Sequence, residues 1–190
     1  MRDGRPAISL SLLAFALVVA ATTATIVLFA VMQFVTVPRI SAMAGGATPF
    51  DLRLTGYDRG EALALLEALG AAGRAEYLRV QLRIDDAFAP LYGITLSLAL
   101  AEILGRAGVG RFLAFALAFL VVLPVAGFDI AENAAIAEML RRPPDTVDAA
   151  TVALASFRTT AKWALAGGAV TVALIGILLA NRRIDRKYDA

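Results

Sequence analysis

The chain has no cysteine and no histidine. The first absence excludes disulfides and thiolate chemistry. The second removes the commonest general base and the commonest zinc ligand. Charge is scarce as well: Asp, Glu, Lys and Arg make up 18% of residues, against about a quarter in an ordinary soluble domain. Nothing matches a phosphate-binding Gly loop or a metal-binding His/Cys set, and no basic surface of the nucleic-acid-binding kind is visible.

What is present is apolar and comes in blocks. Hydrophobic residues are 59% of the chain, mean hydropathy is +0.74, and the charges lie between the blocks. That pattern predicts an all-α integral membrane four-helix bundle, a single membrane domain over 1–190. Its spans fall at about 7–37, 86–105, 111–132 and 160–181, each long enough to cross a bilayer core. Arg far outnumbers Lys and Ala is abundant, which suits a GC-rich bacterial gene and hence a bacterial cytoplasmic (inner) membrane protein.

The first block, Ala7 to Val37, follows a short head with Arg2 and Arg5. Ala42-Met43-Ala44 imitates a cleavage site, but the run is about twice the 7–15 residues of a signal-peptide core. It therefore reads as an uncleaved helix ended by Pro38. The segment 38–85 then forms one long connection. Phe50-Asp-Leu-Arg-Leu-Thr55 alternates as a short strand or extended piece would. Asp58 with Glu61 forms a capping box, and Gly70 is a stop signal. The short amphipathic helix between them, with Leu63, Leu66 and Leu69 on one face, lies on the membrane surface or covers the mouth of the bundle.

Leu78, Val80, Leu82 and Ile84 alternate with Arg79, Gln81 and Arg83. Two readings are open: a helix from about Ala75 running on into the second span, or a strand at 77–84. Pro90 and Pro124 each leave a carbonyl free, that of Asp86 and of Leu120. Glu102 and Arg106 are spaced to pair along a helix. The third span continues as helix to Leu140, and Thr146 or Asp148 caps the fourth. Gly167-Gly168 allows close helix contact there. Trp163 beside Lys162 has the look of an interface anchor, and Tyr92 that of a packing residue.

The chemistry gathers at one depth. Asp85 and Asp86 open the second span, Asp129, Glu132 and Asn133 close the third, and Arg158 and Lys162 open the fourth. Asp129, Glu132 and Asn133 share a helix face by their three- and four-residue spacing. Carboxylates at a membrane rim are seldom there without a partner or a task. Three uses are open. One is a structural ion-pair layer, shared with Arg79, Arg83, Arg158 or Lys162. Another is an oxygen-rich site for a ligand or a divalent cation, held by Asp86, Asp129 and Glu132. The last is a carboxylate pair for hydrolysis, Asp85 or Asp86 with Asp129 or Glu132. No catalytic set is assigned, and no cofactor beyond that candidate cation.

Phe128-Asp-Ile-Ala-Glu-Asn133 is similar to the Phe-Asn-x-Ala-Asp-Ser run of the lipoprotein signal peptidase, a four-span enzyme with two catalytic aspartates. Glu replaces Asp here and the companion Asn-x-x-Asp-Arg motif is absent, so no role carries over. The order Gly70-x-x-Gly73-Arg74-x-x-Tyr77, Asp85-x-x-Phe88-x-x-x-Tyr92, Leu123-Pro-x-x-x-x-Asp129-x-x-Glu132-Asn133 resembles a group of uncharacterised bacterial four-span integral membrane proteins. The likeness covers about residues 50–140 and implies the four-helix topology. It implies no activity. The expectation is thus a non-enzymatic membrane protein, an accessory subunit or a small-ligand or ion-binding protein, with an intramembrane hydrolase as the alternative. Its partners are the bilayer and a membrane protein complex, not nucleic acid.

The Arg2/Arg5 head, the Arg106/Arg111 connection and the basic tail fall on one side of a four-span topology. The positive-inside rule makes that side, and both termini, cytoplasmic. Because the chain lacks cysteine, single introduced cysteines report cleanly. Gly46→Cys and Pro144→Cys should react with an impermeant thiol reagent in intact cells, and Asp189→Cys should not. Labelling at 189 in intact cells would reverse the orientation.

Overall fold

A computed structural model describes residues 10–188, with side chains from 12 to 184. Arg2, Arg5, the first residues of the 7–37 helix and Asp189 lie outside the described residues. Among those described there are helices and turns and no strand. The elements are α1 (Leu10–Val31), α2 (Val37–Met43), α3 (Arg59–Glu76), α4 (Leu82–Arg106), α5 (Arg111–Arg141) and α6 (Ala149–Tyr188). Four helical stretches are long and apolar enough to cross a membrane: Leu12–Met43, Arg59–Arg106, Arg111–Arg141 and Ala149–Ile184.

Pro38 does not end the first helix. A wide π turn at Met32–Thr36, in which the Val37 N–H reaches back to the Met32 carbonyl, precedes it. A π turn is a common way for a helix to absorb an irregularity, and here the helix passes Pro38 and runs to Met43. A second π turn, Tyr77–Gln81, joins α3 to α4 and settles 77–84 as helix. The period-two pattern misleads there because the decisive residues are Tyr77, Gln81 and Asp85. They are four apart and buried, while Arg79 and Arg83 face out. The alternating segment after Pro49 is no strand either. Phe50–Leu52 is a single 3-10 turn that buries Phe50 and Asp51.

The capping box at α3 forms as its sequence implies: Glu61 N–H donates to Asp58 Oδ1 at 2.8 Å, and Asp58 N–H to Glu61 Oε2 at 2.9 Å. Gly70 then breaks the helix with φ +57 and ψ −172, a conformation essentially confined to glycine. No linker follows; the chain turns and resumes helix toward the second span. Before the break, Leu65, Leu66 and Leu69 are buried against Ile136, Met139, Leu140 and Val147. The short helix therefore covers the end of the bundle rather than lying in lipid. Arg59 Nε fastens it to the Val147 carbonyl at 2.9 Å.

Within the bundle α4 packs mainly on α5, α5 on α6, and α1 along α4. The third helix runs well past 132, to Arg141, and its last turns carry the core under α3. Asp148 is the cap of α6: it accepts from Thr151 N–H at 2.8 Å. That hydrogen bond, with the Thr151 hydroxyl, holds its carboxyl below the usual range. The cap's contribution is therefore full above the ordinary carboxylate range and is lost as pH falls through the lowered value. Phe15, Leu17, Ile26 and Phe34 on the first helix, with Leu174 and Leu178 on α6, are exposed, as a lipid-facing surface requires.

Gly70 and Gly105 should separate when changed. Gly70→Ala forces a side chain into a glycine-only conformation and should destabilise by about 1–3 kcal/mol. Gly105, exposed near the end of α4 with nothing within 4 Å of an added Cβ, should tolerate alanine or gain up to about 1 kcal/mol. Denaturant melts of the two variants check this.

Candidate functional site

The site is a buried polar layer just beneath the α3 cap. Asp129, Glu132 and Asn133 share a face of α5 and are 4%, 0% and 2% exposed. Opposite them α6 brings Lys162, itself buried. Its ammonium lies 2.9 Å from Asp129 Oδ1 and 2.5 Å from Glu132 Oε2. The remaining oxygens are occupied too. Tyr92 Oη of α4 donates to Asp129 Oδ2 at 3.1 Å, and Thr159 Oγ1 of α6 to Glu132 Oε1 at 2.5 Å. Tyr92, a packing residue by sequence, is thus part of the layer.

The two aspartates at the head of the second span separate. Asp85 is buried and faces Asp129, Lys162 and Asn133. Asp86 is exposed and accepts from Asn133 Nδ2 at 3.2 Å. Arg158 does not reach a carboxylate; its Nη1 donates to the Ala131 carbonyl at 2.7 Å, across to α5. Arg79 and Arg83 point outward and take no part. Glu102 and Arg106 pair at 2.8 Å at the other end of α4, as their spacing implies.

A second set of polar side chains adjoins the first and was not legible as a site. Asp51, 4% exposed, accepts from the Tyr77 hydroxyl and, at 3.5 Å, from Gln81 Nε2. Gln81 in turn accepts from Thr36 of the first π turn. Trp163 looks inward: its indole N–H donates to the Asp51 carbonyl at 3.0 Å. Tyr57 is anchored by its backbone N–H to Ser156 Oγ at 2.9 Å, and its ring packs on Phe50 with centroids 4.9 Å apart. Burial pushes the Tyr57 phenol well above its ordinary value, so it stays a neutral O–H donor. The four-residue interval Tyr77, Gln81, Asp85 was the available signal for this half of the layer.

The arrangement bears on each use open to these residues. The triad Asp86, Asp129 and Glu132 is not assembled as a cation site: Asp86 points out to Asn133, and an ammonium lies between the other two. Among the described residues no three carboxylates converge as metal ligands. Asp129 and Glu132 are likewise committed to Lys162 rather than sharing a proton with each other. Two grooves, of about 480 and 370 Å³, lie at the far end of the bundle by Glu102, Gly105, Arg111 and Arg183. Compared with protein-family models, curated proteins and solved structures, the chain matches none.

Removing one partner of a buried ion pair leaves a charge unmatched, at a cost of about 3–5 kcal/mol. Asp129→Ala should therefore destabilise the bundle by that order. Asp145→Ala, on an exposed turn, should stay within about 0.5 kcal/mol of wild type. Added Ca²⁺ or Mg²⁺ should leave the wild-type Tm where it is. A rise that disappears in Asp129→Asn would restore the cation reading, since a ligand of the folded state stabilises by mass action.

Proposed function

We propose that this chain is a non-enzymatic, multi-pass protein of a bacterial cytoplasmic membrane that works as an accessory subunit or as a small-ligand or ion-binding protein. Both termini face the cytoplasm and the polar layer lies at the extracytoplasmic rim. The observation that carries the reading is the Lys162 ammonium held between Asp129 and Glu132. A hydrolytic carboxylate pair needs one member free to take a proton from water. Here each carboxylate already meets two donors, Lys162 and a hydroxyl. The order of short motifs between Gly70 and Asn133 adds to the reading, as a likeness to four-span membrane proteins.

The competing reading is an intramembrane hydrolase acting through Asp85 or Asp86 with Asp129 or Glu132. What favours it is Asp85, a buried carboxylate with no cation of its own, facing Asp129. A pull-down of the tagged full chain in mild detergent separates the two. A stable membrane-protein partner, retained by Asp85→Asn, is the expected result. A purified single chain that turns over lipid or lipoprotein, and stops on Asp129→Asn, would overturn the proposal.

A further inference from the structure

The end of the bundle opposite the polar layer carries positive charge that its own carboxylates do not match. Both grooves there are lined by arginine: Arg111 in the larger, Arg106 and Arg183 in the smaller. Glu102 is the one acidic residue lining either, and it is paired with Arg106 at 2.8 Å. Arg111 and Arg183 make no ion pair or hydrogen bond among the described residues. Both are exposed.

The fold brings Arg183 to this place from another helix. Gly176 lets α6 pack closely on α4, since a Cβ there would lie 2.8 Å from Ile103 Cγ2. Arg183 is two helical turns further on, close to the same side of α6. Its guanidinium lies over Gly108, in the space a side chain at 108 would fill. Gly108, with φ +100, closes α4, and Val109 N–H donates to the Leu104 carbonyl at 3.0 Å. A topology signal needs only charges on one side of the membrane. It does not need an arginine of α6 laid on the turn between α4 and α5, where Arg106 and Arg111 already stand. Like charges gathered there repel, although solvent screens them. An anion would relieve that repulsion.

The shape beneath the charges says which anion. The two grooves meet at Gly105, and nothing lies within 4 Å of a Cβ added to it. From there the larger groove, of about 480 Å³, descends between α4 and α5 along Leu98, Ala101, Ala114 and Phe115. Leu98 is about 10 Å below Gly105 along the helix, on the hydrocarbon side. Phe112 and Leu113, next to Arg111, are 88% and 53% exposed, as contact with lipid chains requires. A cationic mouth over an apolar wall complements a phosphate headgroup with a hydrocarbon chain beneath it. A free anion would use the mouth alone.

We propose that this trough is a binding site for an anionic phospholipid. Arg111 and Arg183 hold the headgroup phosphate, and the upper part of one acyl chain lies along Leu98, Ala101 and Phe115. Glu102 stays on Arg106, which offsets its charge. The site is separate from the polar layer and goes beyond the functional proposal above. It requires that the chain span a bilayer, in either orientation, and is the same for a lone chain and a complex member.

Native mass spectrometry of the full chain in neutral detergent, titrated with phosphatidylglycerol, tests it. One saturable lipid is expected, with phosphatidylcholine binding more weakly and inorganic phosphate at the same concentration failing to displace it. Affinity should fall about fivefold in Arg111→Gln or Arg183→Gln and about thirtyfold in the double variant. Gly105→Trp keeps every charge but fills the trough, and should lose the lipid too. Arg182→Gln, turned about 100° away on α6, should bind as wild type does. Equal binding of phosphatidylcholine, or displacement by inorganic phosphate, overturns the lipid assignment. Binding that survives the double arginine variant or Gly105→Trp, or that falls as far in Arg182→Gln, overturns the site. The arginine variants change exposed side chains, so they decide the question even if Gly105→Trp does not fold.

Discussion

One ammonium holds this structure's polar end together. Lys162 reaches from α6 to two carboxylates of α5, and through Asp129 it meets Tyr92 of α4. Three of the four long helices are thus in register through one side chain. A buried ion pair contributes little net stability compared with a well-packed apolar replacement, yet breaking it is costly. Its effect is on geometry: sliding or rotating α6 against α5 separates Lys162 from both partners at once. We take this as the reason polar residues persist at a depth where hydrocarbon side chains would pack without a desolvation penalty.

The α3 cap depends on the same layer from the other side. Asp51 ties the 50–52 turn to Tyr77, and Trp163 ties that turn to α6. Above this polar floor lies the apolar cluster of Phe50, Leu65, Leu66, Ile136 and Met139, which excludes water. Burial and polarity reinforce each other here: the cap strengthens the electrostatics beneath it by removing solvent, and the hydrogen bonds beneath fix where the cap sits. At the other end, the described grooves and Arg106, Arg111 and Arg183 make a more open, basic surface.

How much of this could be read from residues alone depended on which period dominated. The four spans were legible because unbroken apolar runs longer than a bilayer core have few other uses. The depth argument brought Asp129, Glu132, Asn133 and Lys162 together because helix length converts position into height. It could not separate Asp85 from Asp86, since adjacent helical residues differ by about 100° around the axis and only packing chooses which faces in. Asp51 and Tyr77 were missed for a different reason. Asp51 sits in an irregular turn, where no period applies, and Tyr77 was obscured by a π turn that shifts the helical phase. Pro38 misled similarly, because a wide turn just before it lets the helix continue.

A double-mutant cycle between Lys162 and its carboxylates tests the central claim most directly. Lys162→Met, Asp129→Asn and their combination would be compared by reversible unfolding of the full chain in a bilayer mimic. If Lys162 organises the layer, the double mutant recovers much of what either single change loses, with a coupling energy between about 1 and 3 kcal/mol. Effects that simply add, to within about 0.5 kcal/mol, would mean that the ammonium and the carboxylate act independently and that something other than this ion pair sets the register of the bundle.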